Sequence, residues 1–216
     1  QAFSRFALGT APGASPISLS ILGSNPTFDL SLTNLIDING NLEFQDPNAN
    51  AKVILGDRAL LISETGLISA AQTASISFSG SGKGTWINNG QISAGSITFT
   101  GGEKTPLNLS MGAKGKISSP GSLGLLQVSA NDFSLTGGLI NNMVFTVSPI
   151  WKTAVNTITF ASSLGPSAVF GSLQAKTIII KSAGDFTVRP TDQLTVSNVL
   201  QMSISGNLYV LGQVQG

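Results

Sequence analysis

The stretch Ser75–Gly101, SISFSGSGKGTWINNGQISAGSITFTG, contains one short segment twice: Ser75-Ile-Ser-Phe-Ser-Gly80 returns as Ser96-Ile-Thr-Phe-Thr-Gly101, 21 residues later. In each copy the alternation puts Ile76 and Phe78, or Ile97 and Phe99, on one side of a strand and only Ser or Thr on the other. A second unit lies between the copies. Gly84-Thr-Trp-Ile-Asn-Asn-Gly90 returns more loosely as Gly115-Lys-Ile-Ser-Ser-Pro-Gly121 and Gly137-Gly-Leu-Ile-Asn-Asn142, with starts 31 and then 22 residues apart. One coil of about 21 residues, with about ten extra residues looped out around 101–110, accounts for both spacings, and periods of this size belong to solenoids. The predicted fold is all-β: a single-stranded parallel β-helix with three short strands per coil.

Outward from this stretch the pattern persists. Towards the N-terminus it runs through Ile17-Ser-Leu-Ser-Ile21, Phe28-Asp-Leu-Ser-Leu32, Leu35-Ile-Asp-Ile38 and Asn41-Leu-Glu-Phe44, with Asn25-Pro26, Asn39-Gly40 and Asp46-Pro47 as turns. Towards the C-terminus, Phe186-Thr-Val188, Leu194-Thr-Val196, Met202-Ser-Ile204 and Leu208-Tyr-Val210 start eight, eight and six residues apart, which suits tight corners. Helical periodicity is nearly absent. Its best candidate, Asn50 to Ser63, fits strands as well. Residues 1–16, QAFSRFALGTAPGASP, match no coil and are expected to be an N-terminal arm or cap, leaving 17–216 as the solenoid; Pro149–Thr153 reads as a protruding loop.

The chain has 216 residues, 41% hydrophobic and only 10% charged, with net charge +1, no His and no Cys. This composition opposes disorder, gives nucleic acid no basic surface, and removes disulfides, thiolate metal sites and imidazole chemistry. No apolar run reaches the roughly 18 residues of a membrane helix. A start at Gln1 instead of Met suits either a secreted, processed form whose signal peptide has been removed, which is the preferred reading, or an excised fragment.

Catalysis by a solenoid needs gathered carboxylates, for acid–base work or for calcium. Asp29, Asp37 and Glu43 could align on an outer face, and Asp185, Arg189 and Asp192 form a second group, but solvated acids and a corner around Pro190 explain them. Gly80-Ser-Gly-Lys-Gly84 lacks the spacing and following helix of a phosphate loop. Outward Thr98, Thr187 and Thr195 could form a flat ice- or glycan-binding array, too irregular to carry weight. No catalytic, cofactor-binding or metal site is assigned.

Residues 78–101, FSGSGKGTWINNGQISAGSITFTG, resemble the repeats of filamentous haemagglutinin-type exoproteins, in which F-x-G-x-G, I-N-N-G and I-x-A-G-x-I-T-x-x-G segments recur; the likeness covers roughly residues 60–140. It implies a bacterial, secreted, right-handed β-helix with an adhesive role at the cell surface, touching a host surface or glycan. The Asn-Pro-rich signature of that family's secretion domain is reduced here to Ser24-Asn-Pro-Thr27. The expected function is thus a non-catalytic structural protein, a subunit of a surface filament or adhesin; the alternative is a carbohydrate-binding or carbohydrate-active β-helix.

Head-to-tail self-association is expected from the sequence itself. The strand set at Leu208, Tyr209 and Val210 leaves an edge that templates pairing, and the arm with Phe3, Phe6 and Leu8 could complete a neighbour by strand addition. Residues 1–64 carry net −3 and residues 65–216 net +4. Trp86, aligned with Lys116 through the Gly84 and Gly115 units, is expected outward, on the surface or in a subunit contact.

Overall fold

The computed structural model describes residues 6–9, 17–33, 35–81, 86–102, 105–149, 155–164, 169–182 and 184–216. In chain order the strands are β1 (Phe6–Leu8), β2 (Ser18–Ile21), β3 (Thr27–Asp29), β4 (Leu35–Ile38), β5 (Asn41–Phe44), β6 (Asn50–Gly56), β7 (Ala59–Ile62) and β8 (Leu67–Ala70). They continue with β9 (Ser75–Gly80), β10 (Trp86–Asn88), β11 (Gln91–Ser93), β12 (Ser96–Thr100), β13 (Leu107–Met111), β14 (Lys116–Ser118), β15 (Gly124–Ser129) and β16 (Asp132–Asn141). The last are β17 (Met143–Ser148), β18 (Val155–Leu164), β19 (Val169–Ser182), β20 (Phe186–Val188), β21 (Gln193–Ile204), β22 (Leu208–Val210) and β23 (Gln213–Gln215). The long strands β16, β18, β19 and β21 each turn a corner and serve two faces.

Each strand pairs in parallel with the strand one coil away, so the chain is a β-solenoid with three faces, and the described residues contain no helix. On the first face Phe6, Ile36, Leu60, Trp86, Leu109, Leu135, Phe160, Ile180 and Met202 stand in register, each over the last. On the second, Leu19, Leu42, Ile68, Ile92, Ile117 and Ile140 do the same. The third carries Phe28, Val53, Phe78, Phe99, Val128, Val147, Leu173, Leu194 and Val214. A column of nine rungs spaced about 4.8 Å apart is about 38 Å long. These columns exist because the strands alternate inward with outward residues and the inward set is mostly apolar, so it meets along the axis in one continuous core. Each fully buried Val, Leu, Ile, Met or Phe contributes roughly 1.5 to 3 kcal/mol. Aromatic rings reinforce the third face, where Phe78 and Phe99 stack at 5.1 Å.

Glycine sets the corner between the first and second faces. Gly40, Gly66, Gly90, Gly115 and Gly138 each precede a second-face strand, and a Cβ on any of them would come within 3.0 Å of a backbone oxygen of the coil before. Coils spaced at the ladder distance leave no room there for a side chain. That requirement, rather than the Gly84 unit, is the repeat's true register mark.

The advance per coil varies. Ser75 to Ser96 is 21 residues, Ser96 to Leu125 is 29, and Leu125 to Val144 is 19. The extra length expected at 101–110 is divided, because Leu107–Met111 belongs to the ladder as β13 and the second part of the excess is the corner Ser119–Leu123. That corner folds back two coils onto Gln72, whose Oε1 accepts from Ser119 Oγ at 2.6 Å and from Gly121 N at 2.8 Å. Asn142, in the left-handed region at φ 58°, donates its amide to the Ser119, Gly121 and Ser122 carbonyls and closes the corner from the other side.

Candidate assembly surfaces at the two ends of the solenoid

The residues expected to form a subunit contact do not form one surface. Trp86 is a correction: it is 1% exposed, with its ring centroid 5.9 Å from that of Phe99. It stacks on Leu60 and Leu109, while Lys116 stacks on Gln91 and Leu139 on another face, so the two units differ in register by one face. Gly80 explains why so large a ring fits inside. A Cβ there would lie 2.9 Å from Trp86 Cζ2, so the missing side chain is the space the indole takes. Trp86 Nε1 has no hydrogen-bond partner, and neither has Oδ1 of the nearby inward Asn88, whose Nδ2 donates to Lys116 O at 3.1 Å.

Of the N-terminal arm, Phe3 lies outside the described residues, as do Gly82 to Gly84 and Ile150 to Thr153. Phe6–Leu8 forms β1, in parallel register with Ile36–Ile38. Asn39 N donates to Leu8 O at 2.7 Å, Leu8 is buried, and Phe6 sits edge-on to Phe28 with ring centroids 5.2 Å apart. The arm therefore supplies the first rung, half closing that end with Leu19, Ile21 and Phe28.

At the opposite end of the described residues, the last rung consists of the second half of β21, then β22 and β23, and among the described residues each pairs with the preceding coil alone. Leu208 and Val210 continue the inward positions of Phe186 and Val188, and Val214 that of Leu194. Those three lower residues are buried; Leu208 is 44% exposed and Val210 51%. Tyr209 stacks outward on Thr187 and is 49% exposed. Covering Leu208, Val210 and Val214 would remove apolar surface worth about 1.5 to 2 kcal/mol each. The strand edge adds a row of backbone donors and acceptors facing away from the body.

The charge pattern is sharper than the two-part division of the sequence. Asp29, Asp37, Glu43 and Asp46 lie on the first coils, whereas residues 193–216 carry no charged side chain at all. Charge attraction between the ends is therefore largely screened beyond about 8 to 10 Å at physiological salt, and contact at the last rung would be apolar and backbone-mediated. Asp29 is held below the usual carboxylate range by its hydrogen bonds from Ser31, side chain first and backbone N second.

The other candidate groups disperse. Asp29 is on the third face, Asp37 on the first and Glu43 on the second. Asp185 and Asp192 occupy different corners of one coil, Asp185 accepting from Asn207 N at 2.7 Å. Thr187 is on the second face and Thr98 and Thr195 on the third, although Ser77, Thr98, Gln127 and Thr146 do form one outward column there. Among the described residues no three His, Cys, Asp or Glu are placed to hold a metal ion. The sequence reading missed the corner glycines and the Gln72–Asn142 bracket; the recurrent Gly-x-[Ile/Leu] at positions 66, 90, 115 and 138 was the signal that could have found the first. No family model, curated protein or solved structure matches this chain.

Proposed function

We propose that the chain is a non-catalytic extracellular structural protein, a β-solenoid subunit of a surface filament or adhesin that assembles end to end through strand pairing. The observation carrying this reading is the last rung, whose inward residues Leu208, Val210 and Val214 are exposed while the same columns one coil below are buried. A second copy is the occupant that fits. Its first rung offers parallel strands of similar length, and contact with the uncharged last rung would be apolar and backbone-mediated. Stacking of this kind does not close on itself and produces a filament. The resemblance of residues 78–101 to adhesive exoproteins supports the extracellular setting.

Val210→Pro tests the reading, since it removes a backbone donor from the last rung and leaves the core below intact. The chain should sediment as concentration-dependent multimers and the variant as a folded monomer; a parent chain that stays monomeric at high concentration would overturn the proposal. The hydroxyl-bearing column Ser77, Thr98, Gln127 and Thr146 favours carbohydrate binding as a second reading. Retention on an insoluble polysaccharide, abolished by Thr98→Lys, would support it.

A further inference from the structure

The corner Arg189-Pro190-Thr191-Asp192 joins β20 to β21, and the last coil lies directly on it. A Cβ at Gly212 would sit 2.6 Å from the Asp192 carbonyl oxygen, and Gln213 N donates to that oxygen at 3.0 Å. Leu211 N and Gly212 N both donate to Val188 O, at 2.8 and 3.1 Å. The Asp192 side chain is 2% exposed. Its Oδ2 accepts from Arg189 N at 2.8 Å, while its Oδ1 is buried with no hydrogen-bond partner.

A carboxylate in this setting is costly and a carboxylic acid much less so. Burial raises the Asp192 carboxyl above its ordinary value, opposed by the Arg189 N–H bond, the Arg189 charge and a Thr191 hydrogen bond. Other charges stand apart: Lys176 and Lys181 lie further along β19, Asp185 is at the preceding corner, and β21, β22 and β23 have none. When the last coil peels away, Asp192 meets water and returns to its ordinary value. The docked coil thus binds the proton more tightly than the peeled one. Docking is strengthened as pH falls through the docked-state pKa, and that gain is absent above it.

We propose that Asp192 is a proton-linked latch under the last coil, tightening residues 208–216 on acidification and so favouring the end-to-end contact. Only that last consequence rests on the filament reading.

Hydrogen exchange of the whole chain, read by mass spectrometry at a dilution where copies remain apart, tests the latch without involving assembly. Between about pH 7 and about pH 3, a window that spans the raised docked value and the ordinary carboxylate value, protection of residues 208–216, corrected for intrinsic exchange, should rise, reaching about tenfold per unit of difference between the docked and peeled pKa values once pH lies below both. Asp192→Asn should be protected at both pH values with the rise abolished, and Asp185→Asn should keep the rise. A flat profile in the parent chain, or loss of protection at both pH values in Asp192→Asn, would overturn the proposal. Light scattering of the same samples at higher concentration judges the filament reading separately: a working latch with no multimers sinks that reading alone.

Discussion

Replacing Gly90 with Ala isolates the contribution of the corner glycines. The added methyl would overlap the carbonyl oxygens of Gly66 and Ser63, and neither can retreat cheaply. Gly66 O already accepts from Gln91 N at 2.9 Å, and Ser63 O from Gly66 N at 2.8 Å, so relief means stretching the ladder itself. Overpacking costs about 1 to 3 kcal/mol and a weakened backbone bond about 1 kcal/mol. Against this, Ala stabilises by about 0.4 to 1 kcal/mol through the less disordered unfolded chain. The net loss should be about 2 to 3 kcal/mol, a fall in Tm of about 5 to 10 °C for a chain of this size. Gly184→Ala is the matched control, because nothing lies within 4 Å of its added Cβ, and it should be neutral or slightly stabilising. Urea unfolding by far-ultraviolet circular dichroism, with tryptophan emission as a second probe, gives both midpoints without assuming that a solenoid unfolds in one step. Coincident midpoints for the two variants would refute the steric argument.

Two further substitutions probe the interior and the long corner. Trp86→Ala should cost about 3 to 5 kcal/mol, and the emission lost in Trp86→Phe should be blue-shifted and resistant to acrylamide; a red-shifted, quenchable component would put the ring back on the surface. Asn142→Ala should destabilise by about 1 to 3 kcal/mol more than Asn142→Gly, since both lose the bonds to Ser119, Gly121 and Ser122 but only Ala is strained at φ 58°. Equal urea midpoints for that pair would contradict a left-handed Asn142.

The architecture was legible because alternation is a local signal: Ile76 and Phe78 declare their common face without any knowledge of the coil. Register was not. Trp86 and Lys116 were matched through Gly84 and Gly115, yet only a glycine forced against the preceding coil marks a fixed position, and Gly90 rather than Gly84 is the partner of Gly115. Burial of an indole likewise depends on Gly80, six residues earlier and one corner away, a relation that no periodicity displays. The arm followed the same logic. Phe6-Ala-Leu8 is too short to alternate convincingly, and its place in the ladder is settled by Ile36–Ile38, across a connection longer than any ordinary corner. At the far end, Leu208 and Val210 could be named from the pattern alone, because Leu208-Tyr-Val210 repeats the alternation of Phe186-Thr-Val188.

Cross-linking across the junction tests end-to-end stacking most directly, and the absence of native cysteine makes it clean. Ala7 and Ser203 point outward beside Phe6 and Met202, at opposite ends of the same first-face column. In a head-to-tail stack they become neighbours, about 4.8 Å apart in strand spacing and within disulfide reach. Mild oxidation of an equimolar mixture of Ala7→Cys and Ser203→Cys chains should give the mixed dimer, and the doubly substituted chain a ladder of multimers. Monomers throughout, or dimers of Ser203→Cys with itself as the main product, would contradict the stack.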